Sequence, residues 1–179
     1  MELKIYQQNS CESCLSVCLI SLLNYQKLIK LNKREEFNIL FNGIRFTRLD
    51  FSTGHLVYLA KKFPKIIFEQ YIDFEIFHRI LNKLKKPKNL KMYSKKIDLK
   101  FLKEITKENP VIIYIDLFSL EKIYHYSHFV ILKSINNKEA VIFDPMSGKK
   151  IKIKTKILMR SISYLRNMLK ISPKLIRIK

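Results

Sequence analysis

The start of the chain contains a cysteine in a position that favours nucleophilic chemistry. Cys14 opens a segment that runs to Tyr25, and the apolar residues of this segment recur at the spacing of one helix face. Ser13 or Ser10 can cap such a helix, which leaves the thiol at the positive end of the helix dipole. This position favours the thiolate, the form of cysteine that attacks a carbonyl carbon. We therefore predict that Cys14 is a nucleophile rather than a cysteine of the core.

A cysteine nucleophile needs a general base and a group that orients the base. His128 lies where a loop enters the apolar segment 129–132, so that a buried strand would hold its ring at the mouth of a cleft. Asp144 follows the apolar segment 140–143 and precedes Pro145, a position where an aspartate also commonly makes a turn. We predict His128 as the base and Asp144 as the carboxylate that orients it.

These two residues meet only if the hairpin between them has a suitable register. Residues 136–138, Asn-Asn-Lys, are typical of a turn between two strands. A three-residue connection over 135–137 would place His128 directly opposite Asp144, where Cβ atoms lie about 4.5–5.5 Å apart. A two-residue turn would place the two side chains on opposite faces of the hairpin, unless a bulge intervened.

Three cysteines stand close together, at positions 11, 14 and 18. This spacing is similar to that of zinc or iron–sulfur ligands, but the chain has no second cysteine pair, so that a fourth ligand would have to come from a distant residue. Cys18 also follows Cys14 by one turn on the apolar face, where a small buried thiol is common. We expect no bound metal, no cofactor and no disulfide framework. With neither a signal-peptide pattern nor an apolar run of about 20 residues, the sequence predicts a cytoplasmic protein.

The periodicity of the apolar residues predicts helices in the first half of the chain and strands in the second. The predicted helices are 14–25, 33–42, 55–63, 73–85, 98–107 and 157–169. The predicted strands are 65–72, 111–115, 128–135, 140–143 and 149–154. The side chains expected to face the core from the second and fourth helices are Phe37, Leu40 and Phe41, then Phe74, Phe77, Ile80, Leu81 and Leu84. No linker divides the chain, and we expect one α+β domain over 1–179, with an antiparallel sheet in its second half.

The chain is strongly basic, with 35 Lys and Arg residues, 15 Asp and Glu residues, and a formal net charge of +20. Such a surface suits nucleic acid, an anionic membrane or an acidic peptide. Lysine is spread along the whole sequence, and neither an Arg-rich helix nor an aromatic-and-basic RNA signature accompanies it. The charge by itself therefore predicts no class of partner, although a peptide substrate with acidic residues would be steered towards this surface.

Several short motifs resemble those of a known family. Gln8, Cys14 and Val17-Cys18-Leu19 are similar to the opening motif of the bacteriocin-processing, double-glycine leader peptidases. The second motif of that family is matched by His128-Phe129-Val130-Ile131-Leu132 and by Asp144-Pro145-Met146-Ser147-Gly148, including the sixteen-residue step from His to Asp. Thr53-Gly54-His55-Leu56 resembles the family's middle helix. The resemblance covers about residues 3 to 155.

The resemblance implies a papain-like fold and the activity of a thiol peptidase. It implies that Cys14 is the nucleophile, that His128 is the base and that Asp144 orients it. Gln8 would then supply a donor to the oxyanion hole, a contribution that can be worth ~3–4 kcal/mol. The implied reaction is hydrolysis of a peptide bond in a peptide or protein substrate through an acyl-enzyme on Cys14, with the processing of leader peptides as one use.

The sequence departs from the family pattern beside the nucleophile. Ser13 stands where the family usually has an acidic residue, and Leu15 stands where it usually has Gly. A bulky leucine there is expected to narrow the cleft. The stretch 116–127 is longer than in most leader peptidases and could cover the site as a lid. Family members that process leaders are usually fused to a transporter, and no such part is recognised here, so any transporter is expected to be a separate partner.

Two other kinds of function stay open from the sequence. The same fold can transfer an acyl group to an amine, or bind peptides without turnover. A domain that binds nucleic acid or an anionic membrane is favoured only by the net charge, and it would be supported if the Lys and Arg residues lay on one face.

Overall fold

The computed structural model describes residues 2–46, 50–122 and 124–179. Within these ranges the helices are α1 (Cys14–Tyr25), α2 (Lys33–Phe46), α3 (Phe51–Lys62), α4 (Glu75–Asn82), α5 (Leu99–Ile105), α6 (Phe118–Glu121) and α7 (Thr155–Asn167). The strands are β1 (Phe68–Ile72), β2 (Leu90–Ser94), β3 (Val111–Asp116), β4 (Ser127–Ile135), β5 (Glu139–Asp144), β6 (Lys149–Lys154) and β7 (Lys174–Ile178). No helix in these ranges is both long enough and apolar enough to cross a membrane. The mixture of elements confirms the predicted α+β class.

The described strands form one seven-stranded sheet in the order β2-β1-β7-β3-β4-β5-β6. Neighbouring strands are antiparallel, except that β1 and β2 run parallel. The interior strand β4 faces two cores, because Phe129 and Ile131 pack in the core that contains α1 and α3, whereas Val130 and Leu132 pack in the core that contains α5 and α7. A strand that is covered on both faces needs apolar residues on both, which explains its continuous apolar run.

The helix predicted over 157–169 is present as α7, but the expectation that it is the last element of the fold is wrong. β7 follows α7 and lies inside the sheet, between β1 and β3. Its sequence conceals this position, because Lys174 and Arg177 interrupt the apolar pattern although both are buried. Lys174 forms an ion pair with Asp50, and Arg177 forms ion pairs with Glu69 and Glu108. These pairs offset the cost of burying the two charges. The edge strand β2 was also not predicted, because lysines surround it.

Helix α2 turns a different face to the core from the one expected. Its buried residues are Glu36, Ile39, Leu40 and Gly43. Phe41, which was expected to face inward, is 58% exposed. The close approach of α2 to α3 determines this face, since a Cβ atom on Gly43 would lie 2.6 Å from Nδ1 of His55. Only a residue without a side chain fits at that crossing.

Helix α4 is shorter than predicted and exposes part of its apolar surface. Leu81 is buried, as expected. Phe77 and Ile80 were expected to be buried but are 41% and 47% exposed. The physical reason is the position of α4 at the edge of the sheet, against β1 and β2, where only its inner side finds neighbours.

Candidate active site

The thiol of Cys14 lies at the start of α1, as the sequence predicts. The helix begins at Cys14, and this residue is 7% exposed. Ser13 occupies the N-cap position but its side chain does not cap the helix. Instead, the Ser13 hydroxyl lies within hydrogen-bond distance of two acceptors, the carbonyl of Ser10 at 2.8 Å and the carboxylate of Glu36, and its one proton is donated to one of them at a time. Among the described residues, no side chain caps the N–H groups of the first turn, and these groups remain a source of positive potential beside the sulfur.

A β-bulge in the β4–β5 hairpin places His128 and Asp144 on the same side. Near the turn, Ile135 pairs with Ala140, and beyond Lys133 the register shifts by one residue, so that Ile131 pairs with Phe143. The shifted register puts His128 two residues from the position opposite Asp144, a diagonal arrangement that long side chains can bridge. Neither of the connections considered from the sequence occurs. Four residues separate Ile135 from Ala140, the pair next to the turn, and His128 does not lie directly opposite Asp144.

Asp144 acts both as the turn residue and as the partner of the histidine. Its Oδ1 accepts from Nε2 of His128 at 2.8 Å and from the backbone N–H of Met146 at 2.9 Å. Its Oδ2 accepts from the N–H of Ser147 at 3.1 Å. Burial works against ionisation, but the hydrogen bond and charge of His128, with the hydrogen bonds from Ser147 and Met146, outweigh it and lower the pKa of Asp144. The carboxylate is therefore charged at neutral pH.

The ring of His128 is buried between Asp144 and Cys14. Burial by itself would lower the pKa of His128, but the hydrogen bond to Asp144 and the interaction with the Cys14 thiol raise it from 6.5 to about 9. Nε2 is occupied by Asp144. Nδ1 is buried and has no acceptor or donor of good hydrogen-bond geometry among the described residues. Nδ1 is thus the ring nitrogen that is left to exchange a proton with the thiol.

Gln8 is fixed beside the turn that follows Asp144. Its backbone N–H donates to the carbonyl of Pro145 at 2.7 Å. Gly148 permits this contact, because it has a φ of +66° and a Cβ atom there would lie 2.6 Å from the backbone N of Gln7. The Gln8 side chain donates through Nε2 to the carbonyl of Ser10 at 2.9 Å and, more weakly, to that of Cys11 at 3.4 Å. The amide group therefore lies within the turn that leads into Cys14.

Glu36 of α2 holds this N-terminal segment and was not identified from the sequence. Its carboxylate is fully buried and accepts from the N–H of Asn9 at 2.8 Å, from Nδ2 of Asn9 at 2.6 Å and from the hydroxyl of Tyr6 at 2.9 Å. Burial, and then Glu36, raises the pKa of Tyr6 well above its ordinary range. Together with its bond to Ser13, Glu36 ties both flanks of Gln8 to α2. Nothing in the sequence distinguishes it from neighbouring Glu35, which pairs with Lys62 near the surface.

The stretch 116–127, which could cover the site as a lid according to the sequence, is anchored by a buried carboxylate. Asp116 is fully buried and accepts from Nδ1 of His125 at 2.6 Å and from the N–H of Tyr126 at 3.0 Å. The Tyr126 hydroxyl reaches the carbonyl of Cys11 at 3.4 Å. Burial, and then the nearby Cys14, raises the pKa of Tyr126. This end of the stretch therefore lies against the turn before Cys14. Ile123, within the same stretch, lies outside the described residues.

The other two cysteines differ from Cys14 in environment. Cys18 is fully buried, and its thiol donates to the carbonyl of Phe129 at 3.5 Å. Burial, followed by the charges of Cys14 and Asp144, raises the pKa of Cys18 well above its ordinary value. Cys11 is exposed. In the part of the chain that the structure describes, no group of three or more His, Cys, Asp or Glu side chains is arranged to hold a metal ion.

The sequence was compared with models of known protein families, and one family matches. The sequence model of the Peptidase C39 family matches residues 76–174, slightly more than half of the chain. The matched segment includes His128 and Asp144, and Cys14 precedes it. No curated protein matches the sequence.

Several solved structures share the fold. A double glycine motif protease from an AMS/PCAT transporter, in complex with the leader peptide, has 16% identity and a TM-score of 0.57, over 99% of this chain and 91% of that one. The peptidase domain of Streptococcus ComA, a bifunctional ABC transporter involved in quorum sensing, has 12% identity and a TM-score of 0.55, over 99% and 98%. A C39-like peptidase from Bacillus anthracis has 12% identity and a TM-score of 0.60, over 99% and 95%. These likenesses confirm the papain-like peptidase fold that the motifs implied.

Proposed function

The chain belongs to the peptidase C39 family, and on this basis we propose that it cleaves a peptide bond through an acyl-enzyme formed on Cys14. In this proposal His128 transfers the protons, Asp144 orients its ring and Gln8 donates to the oxyanion. The observation that carries the proposal is the 2.8 Å contact between Nε2 of His128 and Oδ1 of Asp144. This contact leaves Nδ1 of the same ring for the Cys14 thiol, the division of roles that a cysteine nucleophile requires.

The reaction begins at the sulfur of Cys14. With a pKa of about 9, the ring of His128 is protonated at neutral pH, and an imidazolium beside the sulfur stabilises the thiolate. The thiolate donates an electron pair to the scissile carbonyl carbon, and the carbonyl π electrons move to the oxygen. When this intermediate collapses, the C–N bond breaks and the leaving amine takes a proton from Nδ1 of His128.

Water then hydrolyses the thioester on Cys14. The neutral ring of His128 accepts a proton from water as the water oxygen attacks the carbonyl carbon. Collapse of the second intermediate breaks the C–S bond and releases a carboxylic acid product and the thiolate. Asp144 stabilises the imidazolium each time it forms, because the carboxylate stays charged and holds Nε2.

Two groups can stabilise the oxyanion in both steps. The backbone N–H of Cys14 belongs to the first turn of α1, where N–H groups have no partner within the helix. The amide of Gln8 is fixed by its 2.9 Å bond to Ser10, whereas its 3.4 Å contact with the carbonyl of Cys11 is long and exposed. A substrate oxygen can replace that weaker contact. Hydrogen bonds from donors positioned in this way become stronger as negative charge develops on the substrate oxygen.

We propose leader peptides as the substrate class. One of the similar structures is a protease bound to a leader peptide, and two come from transporters, which makes a separate transporter a candidate partner of this chain. The net charge of +20 favours peptides with acidic residues over basic ones.

Alkylation by iodoacetamide, followed by mass spectrometry of each cysteine peptide, tests the nucleophile. We expect Cys14 to be labelled faster than exposed Cys11 in the wild type, and this advantage to be lost in His128→Ala. Cys11 serves as the internal control because its labelling should not depend on His128. Equal rates at Cys11 and Cys14, unchanged by His128→Ala, would contradict the proposal.

Cleavage of synthetic peptides with a Gly-Gly pair before the scissile bond tests turnover. We expect products from the wild type and none from Cys14→Ala. If added amines are incorporated in place of water, the acyl-enzyme is correct but the activity is acyl transfer. If Cys14 is labelled selectively and no peptide is cleaved, the protein binds peptides without turnover.

A further inference from the structure

A surface at the edge of the sheet exposes large apolar side chains. On α4, Ile76 is 67% exposed, Phe77 41% and Ile80 47%. Leu81 is the buried residue of α4. We call these three exposed residues, with the lysines of 83–88 that follow them, the α4–β2 surface. Large apolar residues that adjoin one another on a surface mark a contact site more often than isolated ones do.

The same surface is rich in lysines and poor in acids. Between residues 76 and 97 the sequence has eight basic residues and no Asp or Glu. Its exposed lysines are Lys83, Lys85 and Lys88. The nearest acid before the segment, Glu75, is already paired with Arg79 at 2.8 Å. In the described part of the chain, none of these lysines forms an ion pair, so that their charge is available to a partner.

The apolar and basic residues lie on one continuous side of α4. Residues 76, 80 and 83 are spaced by four and then three positions, which places them along one helix face. The helix packs with its other side on β2, where Nε2 of His78 lies 3.3 Å from the carbonyl of Met92. The stripe formed by Ile76 and Ile80 therefore runs directly into Lys83.

This surface is remote from the candidate active site. β2 is the first strand of the sheet and β4, which carries His128, is the fifth. Four steps between strands amount to roughly 19 Å. A partner on the α4–β2 surface would therefore leave Cys14 and His128 accessible.

We propose that the α4–β2 surface docks on the face of an anionic membrane. Lysines close to a lipid surface of opposite charge each strengthen binding by roughly fivefold. Ile76, Phe77 and Ile80 would enter the boundary between the headgroups and the acyl chains, as the apolar face of an interfacial helix does. Nucleic acid fits less well, because branched aliphatic side chains offer no stacking platform for bases. The proposal is independent of the proposed peptidase activity.

Sedimentation with vesicles of phosphatidylcholine alone, or with phosphatidylserine added, tests docking by the full chain. We expect binding only to the vesicles that contain phosphatidylserine. The triple variant Ile76→Ser, Phe77→Ser and Ile80→Ser should bind at least tenfold more weakly. The matched control is Phe41→Ser with Ile44→Ser on α2, whose residues are 58% and 50% exposed and which should change binding less than twofold. Circular dichroism verifies that each variant keeps its fold.

A second pair of variants separates a local site from total charge. Lys83→Gln, Lys85→Gln and Lys88→Gln together should weaken binding at least tenfold. Lys149→Gln, Lys150→Gln and Lys154→Gln remove the same charge from exposed positions on β6, at the opposite edge of the sheet, and should have little effect. Equal loss in both triples would overturn the proposal. The proposal would also be overturned if the triple variant of α4 bound the vesicles as strongly as the wild type and a short RNA displaced the vesicles completely.

Discussion

Nε2 of His128 lies 2.8 Å from Oδ1 of Asp144 although the two residues do not pair across the hairpin. The bulge at Lys133 accounts for this contact. Without the bulge, the pairing of Ile135 with Ala140 would continue along the hairpin and place Ile131 opposite Asp144. His128 would then be an odd number of residues from that position, so that its side chain would lie on the other face. Because Lys133 is left unpaired, His128 and Asp144 come onto the same face and into contact.

Insertion of one alanine after Lys133 should separate His128 from Asp144. The side chain of Lys133 is exposed and makes no contact with the pair, so that only the length of the backbone matters. With Ile135 held opposite Ala140, the insertion moves His128 by one further position along β5 and onto the face opposite Asp144. We expect it to lower kcat/KM by roughly 10²–10⁴-fold, the usual contribution of general acid–base catalysis. Lys133→Ala keeps the register and should retain activity. Comparable losses in both variants would show that the side chain matters and that the register argument is wrong.

The pH dependence of activity should report the proton on His128. Because the pKa of His128 is raised to about 9, kcat/KM should fall on the basic side near pH 9, where the proton for the leaving amine is lost. Asp144→Asn removes interactions that raise this pKa, so that the basic limb should move to lower pH. Initial rates across pH 5–10 measure both profiles. A basic limb at the same pH in both enzymes would contradict the assignment.

The stability of the folded protein should also depend on the protonation of His128. A pKa raised from 6.5 to about 9 means that the folded protein favours the charged ring; this contribution is complete below pH 6.5 and is lost as the pH rises to about 9. The difference in Tm between the wild type and Asp144→Asn should therefore be larger at pH 6 than at pH 9.5. Thermal melts at the two pH values measure it.

Parts of this site could be predicted from the sequence because local patterns determine them. Cys14 stands where the helical period starts, and His128 and Asp144 stand at the ends of apolar strands, so that each could be placed on its element from its neighbours along the chain. The register that joins His128 to Asp144 was not predictable. A bulge leaves no mark in the sequence, since Lys133 looks like any polar residue near the end of a strand.

Other features depend on contacts between distant residues. Glu36 could not be identified from the sequence, because glutamate is seldom buried. In the fold it finds donors on Tyr6, Asn9 and Ser13 that no periodic pattern indicates. The strand β7 was missed for the same kind of reason, because the partners that neutralise its charges come from distant parts of the chain.

Glu36→Gln tests whether the buried carboxylate positions the segment that carries Gln8. The amide nitrogen cannot accept hydrogen bonds, so that donors from Asn9, Tyr6 or Ser13 lose their acceptor. Each buried group left unsatisfied costs about 1–3 kcal/mol, which lowers Tm by about 2–4 °C per kcal/mol in a protein of this size. We expect kcat to fall more than KM rises. Glu35→Gln, which affects only an ion pair near the surface, is the control and should change Tm by less than about 2 °C.

Gln8→Ala gives the sharpest separation between an oxyanion donor and a structural residue. Removal of one such donor lowers kcat by about 10²–10³-fold while binding of the substrate changes little. Alkylation of Cys14 by iodoacetamide forms no oxyanion, so that its rate should be nearly unaffected. Gln7→Ala is the matched control, because Gln7 is exposed and adjacent in the chain. If Gln8→Ala slowed alkylation as strongly as peptide cleavage, Gln8 would be holding Cys14 and His128 in place rather than stabilising the oxyanion. If neither rate changed, the N–H of Cys14 and the remaining groups of the cleft would suffice, and Gln8 would have no part in the reaction.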